Sequence, residues 1–412
     1  MTRQIAKEYT AELLTIGSEL LNGSTVNTNA SFLGSFLTSS GFKVIRQTAC
    51  RDDLQSIILQ LTQAFTRADL VILTGGLGPT PDDITREAVA AYFRVPLKFS
   101  AGQYRLISKW YRQKSKKIPR IVRREAMFPQ NAVPMINRYG IALGFYISTG
   151  NKFIVVLPGV PSEMQKMAHE SVTPLLKKKF KDKRAAFALT ARLVGISEPK
   201  TMALLGRDFF DVPFEFGIYP YPGEVTIRIQ AASRNIIFRL QTKIRKRLGR
   251  YLYGETDSNL AASLGNLLVR NRRSLAVAES CTGGRLSAML TSNEGASSYF
   301  LGGVTAYSDK VKQCLLRVPG PALKKYGAVS GPVAIQMAKG VREQFQSDYG
   351  IAITGIAGPG GGSRKKPVGT VFIAVAAAKK CRVYYGLFSG SRGQIQDRTA
   401  AQALELLWRE LK

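Results

Sequence analysis

Two stretches hold residues whose types and spacing fit chemistry. In Leu275–Arg285 (LAVAESCTGGR) a short apolar run ends in Glu279-Ser280-Cys281-Thr282-Gly283-Gly284, and Leu286, Met289 and Leu290 follow at helical spacing. This reads as a strand–turn–helix junction, where α/β proteins present nucleophiles and bind anions. Glycines let backbone N–H groups approach a ligand, and a helix N-terminus favours negative charge. Ser280 and Cys281 are both candidate nucleophiles. The second stretch, Gly75-Gly76-Leu77-Gly78-Pro79-Thr80-Pro81-Asp82-Asp83, closes the apolar run Asp69–Thr74. Its glycines allow close approach to a phosphate, and Asp82 and Asp83 could hold a hard divalent cation or cap the next helix. Alone, such a loop is more often a plain turn with a capping aspartate. Glu19, just after the apolar run Ala11–Gly17, adds a third carboxylate, and the set fits a metal-assisted phosphate site. Glu163, after Phe153–Leu157, could cap a helix or add a ligand at the same crevice.

Several chemistries are excluded by count. The single histidine, His169, lies in a helical segment, SEMQKMAHE, remote in sequence from Ser280. A Ser-His-Asp or Cys-His arrangement at Ser280 would need it to cross from another domain, and a metal site would rely mainly on oxygen ligands. The four cysteines show no C-x-x-C spacing and suggest neither a disulfide framework nor zinc, so a reducing cytoplasm is the default. No apolar run approaches the roughly 18 residues that span a bilayer, and MTRQIAKEYTAE lacks a signal-peptide core. Lys and Arg number 59 against 28 Asp and Glu, a net charge of +31. That surplus would attract nucleic acid, anionic membrane or phosphorylated small molecules; a general bias toward basic residues explains it equally well.

The elements that must position these residues are α/β in pattern. Ala11–Gly17, Phe42–Arg46, Asp69–Thr74 and Phe153–Leu157 read as strands. Leu54, Ile57, Ile58 and Leu61 mark one face of an intervening helix. Residues 88–124 carry eleven basic and no acidic side chains, with Tyr104, Trp110 and Tyr111 among them, either a nucleic-acid or nucleotide surface or a solvated helical face. The charged run Leu176–Arg184 is a first boundary. Beyond it, Phe187–Val194 and Glu224–Ala232 read as strands, Gly217–Gly223 as a turn, and Ile236–Leu248 as a basic amphipathic helix, a small α+β unit. Leu252–Asn259 is the second boundary. Leu260–Val269 and Thr399–Leu411 read as helices of the last domain, with strands at Phe300–Ala306, Gly350–Thr354, Gly369–Ala376 and Val383–Phe388. A helix running through Val341 follows Ala328-Val329-Ser330.

Read together, the motifs IGSELLNG, VNTNA, LTGGLGPTPDD, LPGVPSE, PGEVTIRI, AESCTGG, FLGGVTAYS, YGAVS, ITGIAGPGGG and KPVGTV resemble those of the competence/damage-inducible CinA family over nearly the whole chain. The resemblance implies two α/β/α sandwich domains joined by a small α+β KH-type domain. These are a molybdopterin-binding-like domain over 8–172, the KH-type domain over 173–253, and a nicotinamide-nucleotide amidase domain over 258–412. It implies a cytoplasmic hydrolase that deamidates nicotinamide mononucleotide, with Ser280 as nucleophile and Lys312 as its partner. Tyr307 would orient that pair. Thr354 and N–H groups near Gly283, Gly284 and Gly355–Gly358 would hold the oxyanion or the phosphate. Thr282, Asp309 and Arg392 join them as substrate contacts. The amidase needs no cofactor. The first domain would act as a metal-dependent ADP-ribose pyrophosphatase. Its nucleotide site is Gly75, Gly76, Gly78, Thr80 and Glu163, and its divalent metal ligands are Glu19, Asp82 and Asp83. A homodimer is expected.

Two positions depart from the family pattern. Asp309 stands where an amide residue is usual. Gln396 stands where the pattern R-x-x-I-R, begun by Arg392 and Ile395, has its second arginine. Arg398 or Arg392 is the candidate replacement cation. The rival expectation is a nucleic-acid-associated adaptor for competence or recombination proteins, with one or both sites vestigial.

Overall fold

The structure is a computed structural model that describes residues 7–181, 187–221, 223–256 and 258–412. Parts of both boundary segments, 182–184 and Asp257, lie outside the described residues, as do Pro222 of the expected turn and the first six residues. The chain divides into two compact units, Met1–Phe187 and Ala188–Lys412. Among the described residues no helix is long and apolar enough to cross a membrane.

The first unit is built on strands β1 (Tyr9–Ile16), β2 (Phe42–Cys50), β3 (Leu70–Thr74), β4 (Leu97–Phe99), β5 (Met127–Pro129), β6 (Val133–Met135), β7 (Gly144–Thr149) and β8 (Lys152–Leu157). Six of them form a sheet in the order β2-β1-β3-β8-β7-β6. The pairs β1/β2, β1/β3 and β3/β8 are parallel, and β7 and β6 turn back antiparallel. Period-two alternation feeds two cores. Leu14, Ile16, Val71 and Leu73 point to one face; Ala11, Leu13, Leu70 and Ile72 point to the other. Chain order reverses at β1, with β2 on one side and β3 on the other. The carboxyl ends of β1 and β3 therefore open a crevice at a topological switch point.

The second unit holds two sheets. The smaller comprises β9 (Phe187–Val194), β10 (Glu215–Tyr221), β11 (Glu224–Ala231) and β12 (Leu252–Gly254), ordered β10-β11-β9-β12. With the helices Glu198–Leu205 and Arg234–Leu248 it runs β-α-β-β-α-β, the split βαβ arrangement. Here the expected turn over 217–223 is corrected. Residues through Tyr221 form an edge strand paired residue by residue with β11, Glu215 opposite Gln230 and Tyr221 opposite Glu224. Pro220 made the segment look like a turn, but an edge strand tolerates a residue with no N–H.

The larger sheet comprises β13 (Leu275–Glu279), β14 (Phe300–Thr305), β15 (Tyr349–Gly355), β16 (Thr370–Ala376) and β17 (Cys381–Leu387), ordered β14-β13-β15-β16-β17. The first three strands are parallel and the last two antiparallel. Its two faces differ in bulk. Leu275, Val277, Ile351, Ile353, Val371 and Ile373 face a core closed by the C-terminal helix Arg392–Leu411. Ala276, Ala278, Ala352, Ala374 and Ala376 face the helix Gly331–Gln344. Alanine on that face lets the helix approach closely. The C-terminal helix starts at Arg392, well before the expected Thr399. A capping box explains this: the Ser391 hydroxyl accepts from Gln394 N–H, and the Gln394 side chain accepts from Ser391 N–H.

The helix Gly331–Gln344 in turn seats the short helix Asp309–Leu316. A Cβ at Gly340 would lie 2.0 Å from the Leu316 carbonyl oxygen. Gly340→Ala is therefore expected to push the two helices apart and cost about 1–3 kcal/mol, as overpacked cores do. Urea unfolding checks this, and an unchanged midpoint would contradict the close seating.

Candidate functional site

The junction after β13 is shaped by a buried carboxylate. Glu279 is 1 % exposed. Its Oε2 accepts from Gly284 N–H at 3.1 Å and Leu286 N–H at 3.0 Å, and its Oε1 from Ser287 N–H at 2.8 Å and Ser287 Oγ at 2.7 Å. These are the orphan donors of the helix Arg285–Thr291, so the helix start is already capped by the protein's own anion. Gly283 N–H goes to the Ser280 carbonyl and Arg285 N–H to the Thr282 carbonyl, both at 3.2 Å. The expectation that Gly283 and Gly284 offer N–H groups to an oxyanion or phosphate is thereby corrected. Both donors are committed inside the loop.

The two nucleophile candidates have opposite surroundings. Cys281 is buried in the apolar core of the β13 sheet, and desolvation pushes its thiol up to about 12. It stays a thiol near neutral pH and acts as a small hydrophobe. Ser280 is 9 % exposed, and its N–H donates to the Ile353 carbonyl at 3.0 Å, which holds it at the sheet end. Beside it, Thr282 is buried with a hydroxyl that has no protein partner, an orphan a substrate atom would satisfy.

Lys312, on the helix Asp309–Leu316, is 1 % exposed. Its Nζ donates to the Tyr307 carbonyl at 3.2 Å and lies 3.7 Å from Asp309 Oδ1. Burial lowers its proton affinity; the Asp309 carboxylate, by its charge and by its contact with the amine, works the other way. Glu279 lies opposite Thr305, and Ala306 N–H donates to the Glu279 carbonyl at 2.7 Å, so the Tyr307 carbonyl that holds this amine stands at the strand end beside the junction. The Tyr307 ring is largely exposed, and its hydroxyl accepts from Arg392 Nη2 at 2.9 Å. Arg392 also donates to the Gly358 carbonyl at 2.6 Å. Tyr307, Gly358 and Arg392 thus form one connected rim, and the exposed guanidinium keeps further donors for an anion.

Other expected contacts serve positioning. Thr354 Oγ1 donates to the Ala328 carbonyl at 2.8 Å, so its proton is not available to an oxyanion. Gly355 provides space: a Cβ there would stand 3.0 Å from Cys281 Sγ. Gln396 accepts from Arg285 Nε at 3.1 Å and donates to the Cys281 carbonyl at 2.7 Å. It therefore ties the C-terminal helix to the junction. Arg398 is held by the Ser389 carbonyl. Two residues here stand inside motifs quoted from the sequence but were assigned no role there. One is Glu279 itself. The other is Lys366, whose Nζ donates to the Tyr326 and Val329 carbonyls at 3.0 and 2.6 Å and pins the YGAVS segment.

The first unit has a cavity of about 500 Å³ at its switch point. Thr15 and Ile16 at the end of β1, Thr74 at the end of β3 with Gly75 to Gly78 beyond it, and Pro158 and Gly159 after β8 line it. Gly75, Gly76, Gly78, Glu19, Asp83 and Glu163 are there as expected; Thr80 and Asp82 are not. Asp83 Oδ2 accepts from both the N–H and the hydroxyl of Thr80, which makes it a cap of its own turn. The Thr80 hydroxyl also holds the Asp82 carboxyl below its usual range. Among the described residues, no three His, Cys, Asp or Glu side chains converge as a cation site. Glu19, Asp82 and Asp83 do not fit a divalent metal as a set. The sequence reading passed over Glu125, which also lines the cavity. It is 2 % exposed, and burial pushes its carboxyl up to about 7; Arg86 opposes this, while Asp83 and Glu163 add to it. Glu163 is likewise raised by burial, against a hydrogen bond from Asn137 Nδ2 at 2.6 Å. His169 is exposed and rests edge-on against Phe32 and Phe36.

Fold and sites define a two-site α/β protein, with a doubly wound cavity in one unit and a serine junction beside a buried lysine in the other. The family described as "CinA C-terminal domain" matches residues 257–411, and that described as "Probable molybdopterin binding domain" matches residues 12–178. A CinA-like protein of Chlorobium limicola is 37% identical over 423 residues, covering 98% of this chain and 97% of its own. A CinA-like protein of Gemmatimonas aurantiaca is 37% identical over 412 residues, covering 97% and 95%. The crystal structure of the competence/damage inducible protein CihA from Agrobacterium tumefaciens is 32% identical over 38% of this chain and 98% of that one, with a TM-score of 0.35. The chain belongs to the CinA family.

Glu279→Gln keeps the shape but turns an amide N–H₂ toward N–H donors. It is expected to cost about 2–3 kcal/mol, the scale of hydrogen bonds to a charged group. Chemical denaturation measures this, and a change below about 0.5 kcal/mol would refute the capping role.

Proposed function

We propose that the second unit hydrolyses the carboxamide of a pyridine nucleotide, converting nicotinamide mononucleotide and water to nicotinate mononucleotide and ammonia. The observation that carries this reading is the buried Lys312 amine, lowered in proton affinity by desolvation and held by the Tyr307 carbonyl just beyond β14, the strand that pairs in parallel with the one leading into Ser280. A serine hydroxyl is a weak nucleophile and needs a base, and a lysine serves only as the neutral amine. Ser280 Oγ attacks the carboxamide carbon while Lys312 takes the hydroxyl proton. The proton passes to the departing nitrogen, the C–N bond breaks, and ammonia leaves an ester on Ser280. Water, deprotonated by Lys312, cleaves that ester, and the proton returns to Ser280. The orphaned Thr282 hydroxyl is suited to the substrate, and Arg392 to its phosphate.

Asp309 sets the acid limit of the reaction. Its carboxylate favours the protonated amine, so an amide there would let burial act with less opposition. We read the first-unit cavity as a nucleotide site for ADP-ribose-type ligands, supported by its glycine loop and switch-point position. The nucleic-acid reading has less support. Lys243 and Arg247 on the basic helix are paired with Asp208, and Arg245 with Glu255. Residues 188–254 also contain no G-x-x-G loop of the kind that clamps a backbone in KH modules.

Ammonia release from nicotinamide mononucleotide is the direct test. Ser280→Ala and Lys312→Met are each expected to lower kcat about a thousandfold or more. An inactive wild type, or full activity in Ser280→Ala, would refute the mechanism. The rate is expected to rise with pH as Lys312 loses its proton, and Asp309→Asn to move that limb to lower pH. An unmoved or alkaline-shifted limb would show that Lys312 is not the base. Linkage has the same sign. Because the folded chain holds this proton more weakly than the unfolded chain, stability rises with pH from the lowered value toward ~10.4. Lys312→Met should remove that slope, which melting curves across this range would reveal.

A further inference from the structure

The first-unit cavity has one wall unlike the others. Glu125 is 2 % exposed, and its Oε1 has no hydrogen-bond partner in the protein. A buried acceptor left unpaired costs stability, and native proteins retain such groups mainly where something else satisfies them. The carboxylates of Asp83 and Glu163 act on the same group, so this wall repels phosphate and favours N–H donors. The opposite requirement holds at the glycine loop. There, Gly75 and Gly76 take positive φ, of +104° and +65°, and a Cβ at either would strike protein within 2.2 Å. Only glycine packs there, Gly75 against the Ile16 carbonyl and Gly76 against the Thr85 hydroxyl, and the loop meets the cavity as bare backbone at these two positions.

The segment that carries Glu125 is held firmly. Leu143 N–H donates to the Glu125 carbonyl at 2.9 Å. The buried Arg86 guanidinium donates to the carbonyls of Arg124 and Gly78, joining Glu125's neighbour to the glycine loop. One buried cation thus fixes the spacing between the acidic wall and the loop.

We propose that Glu125 reads the base of the ligand: the cavity takes a nitrogen heterocycle bearing an exocyclic amine, joined to phosphate, and Glu125 Oε1 accepts from that amine. The heterocycle lies toward Glu125 and Glu163, and the phosphate toward Gly75–Gly76. The inference rests on the nucleotide reading of this cavity. It adds a specificity residue to that reading and needs neither hydrolysis nor a metal.

Two probes test it on the full chain by calorimetry, AMP and IMP, which share the sugar and phosphate and differ where the exocyclic amine of one is a carbonyl oxygen in the other. The wild type is expected to bind AMP at least about tenfold tighter than IMP, the scale of one hydrogen bond to a charged group. Glu125→Met, which removes the acceptor, should lose that preference and melt at the same or a higher temperature, because a buried unpaired carboxylate has been removed. If Glu125→Met keeps the preference, the base-reading role is overturned while the nucleotide reading stands. If it melts lower and keeps the preference, Glu125 is structural and the proposal fails. If the wild type binds neither probe, the nucleotide reading falls and the proposal with it.

Discussion

The second unit depends on one buried carboxylate. Glu279 ends β13 and begins the turn, and its two oxygens take the free N–H groups of the helix that follows. Strand and helix are locked through a single side chain, and Ser280, the next residue, has no freedom to move with either. The same bond set removes the helix N-terminus as an anion site. Any anion bound near Ser280 must be held by side chains, and Arg392 stands at the rim with donors to spare. A motif that reads as a phosphate cradle is, in three dimensions, a device for holding one hydroxyl still.

Lys312 is the complementary constraint. An amine buried this deeply loses hydration, and the protonated form bears that cost. Its depth follows from packing. Alanines line one face of the sheet, Gly331–Gln344 lies close against them, and Gly340 admits the end of the helix that carries the lysine. The proton affinity of a catalytic candidate is therefore traceable to small residues on another strand layer. Asp309 opposes the effect from the exposed side, and the balance between these two terms decides at what pH the amine is free.

Much of this was legible in the sequence because parallel strands buried on both faces are continuous apolar runs. LVILT and LAVA announced β3 and β13 and, with them, the junctions that follow. What failed was whatever depended on pairing or on distance. GIYPY became part of an edge strand because β11 lay beside it, a fact local composition does not hold. The start at Arg392 was recoverable, since S-x-x-Q is a capping signal, but the polar run after it hid the helix. Glu19, Asp82 and Asp83 looked like a metal set because one crevice gathers loops from different strands. The turn used Asp83 for the N–H and hydroxyl of Thr80 and left Asp82 outside the cavity. In the sequence Glu279 reads as the first residue of a turn, and Glu125 stands just past the basic run 88–124 with no role assigned. Their roles come from burial, which only the fold decides.

The two units apply the same topology to opposite electrostatics. Each opens its site where chain order reverses beside a central parallel strand, β1 in one and β13 in the other. In the first unit, the glycines keep side chains out of the loop, and acids make up the far wall. In the second, an acid is sealed beneath the loop and the Arg392 guanidinium stands at the outer rim. Switch-point geometry therefore fixes where a ligand enters but not which charge it meets. That choice lies with a few buried ionisable residues — Glu125 and Arg86 in one unit, Glu279 and Lys312 in the other. Each of the four is at most 2 % exposed, so its charge acts with little screening on whatever the site admits.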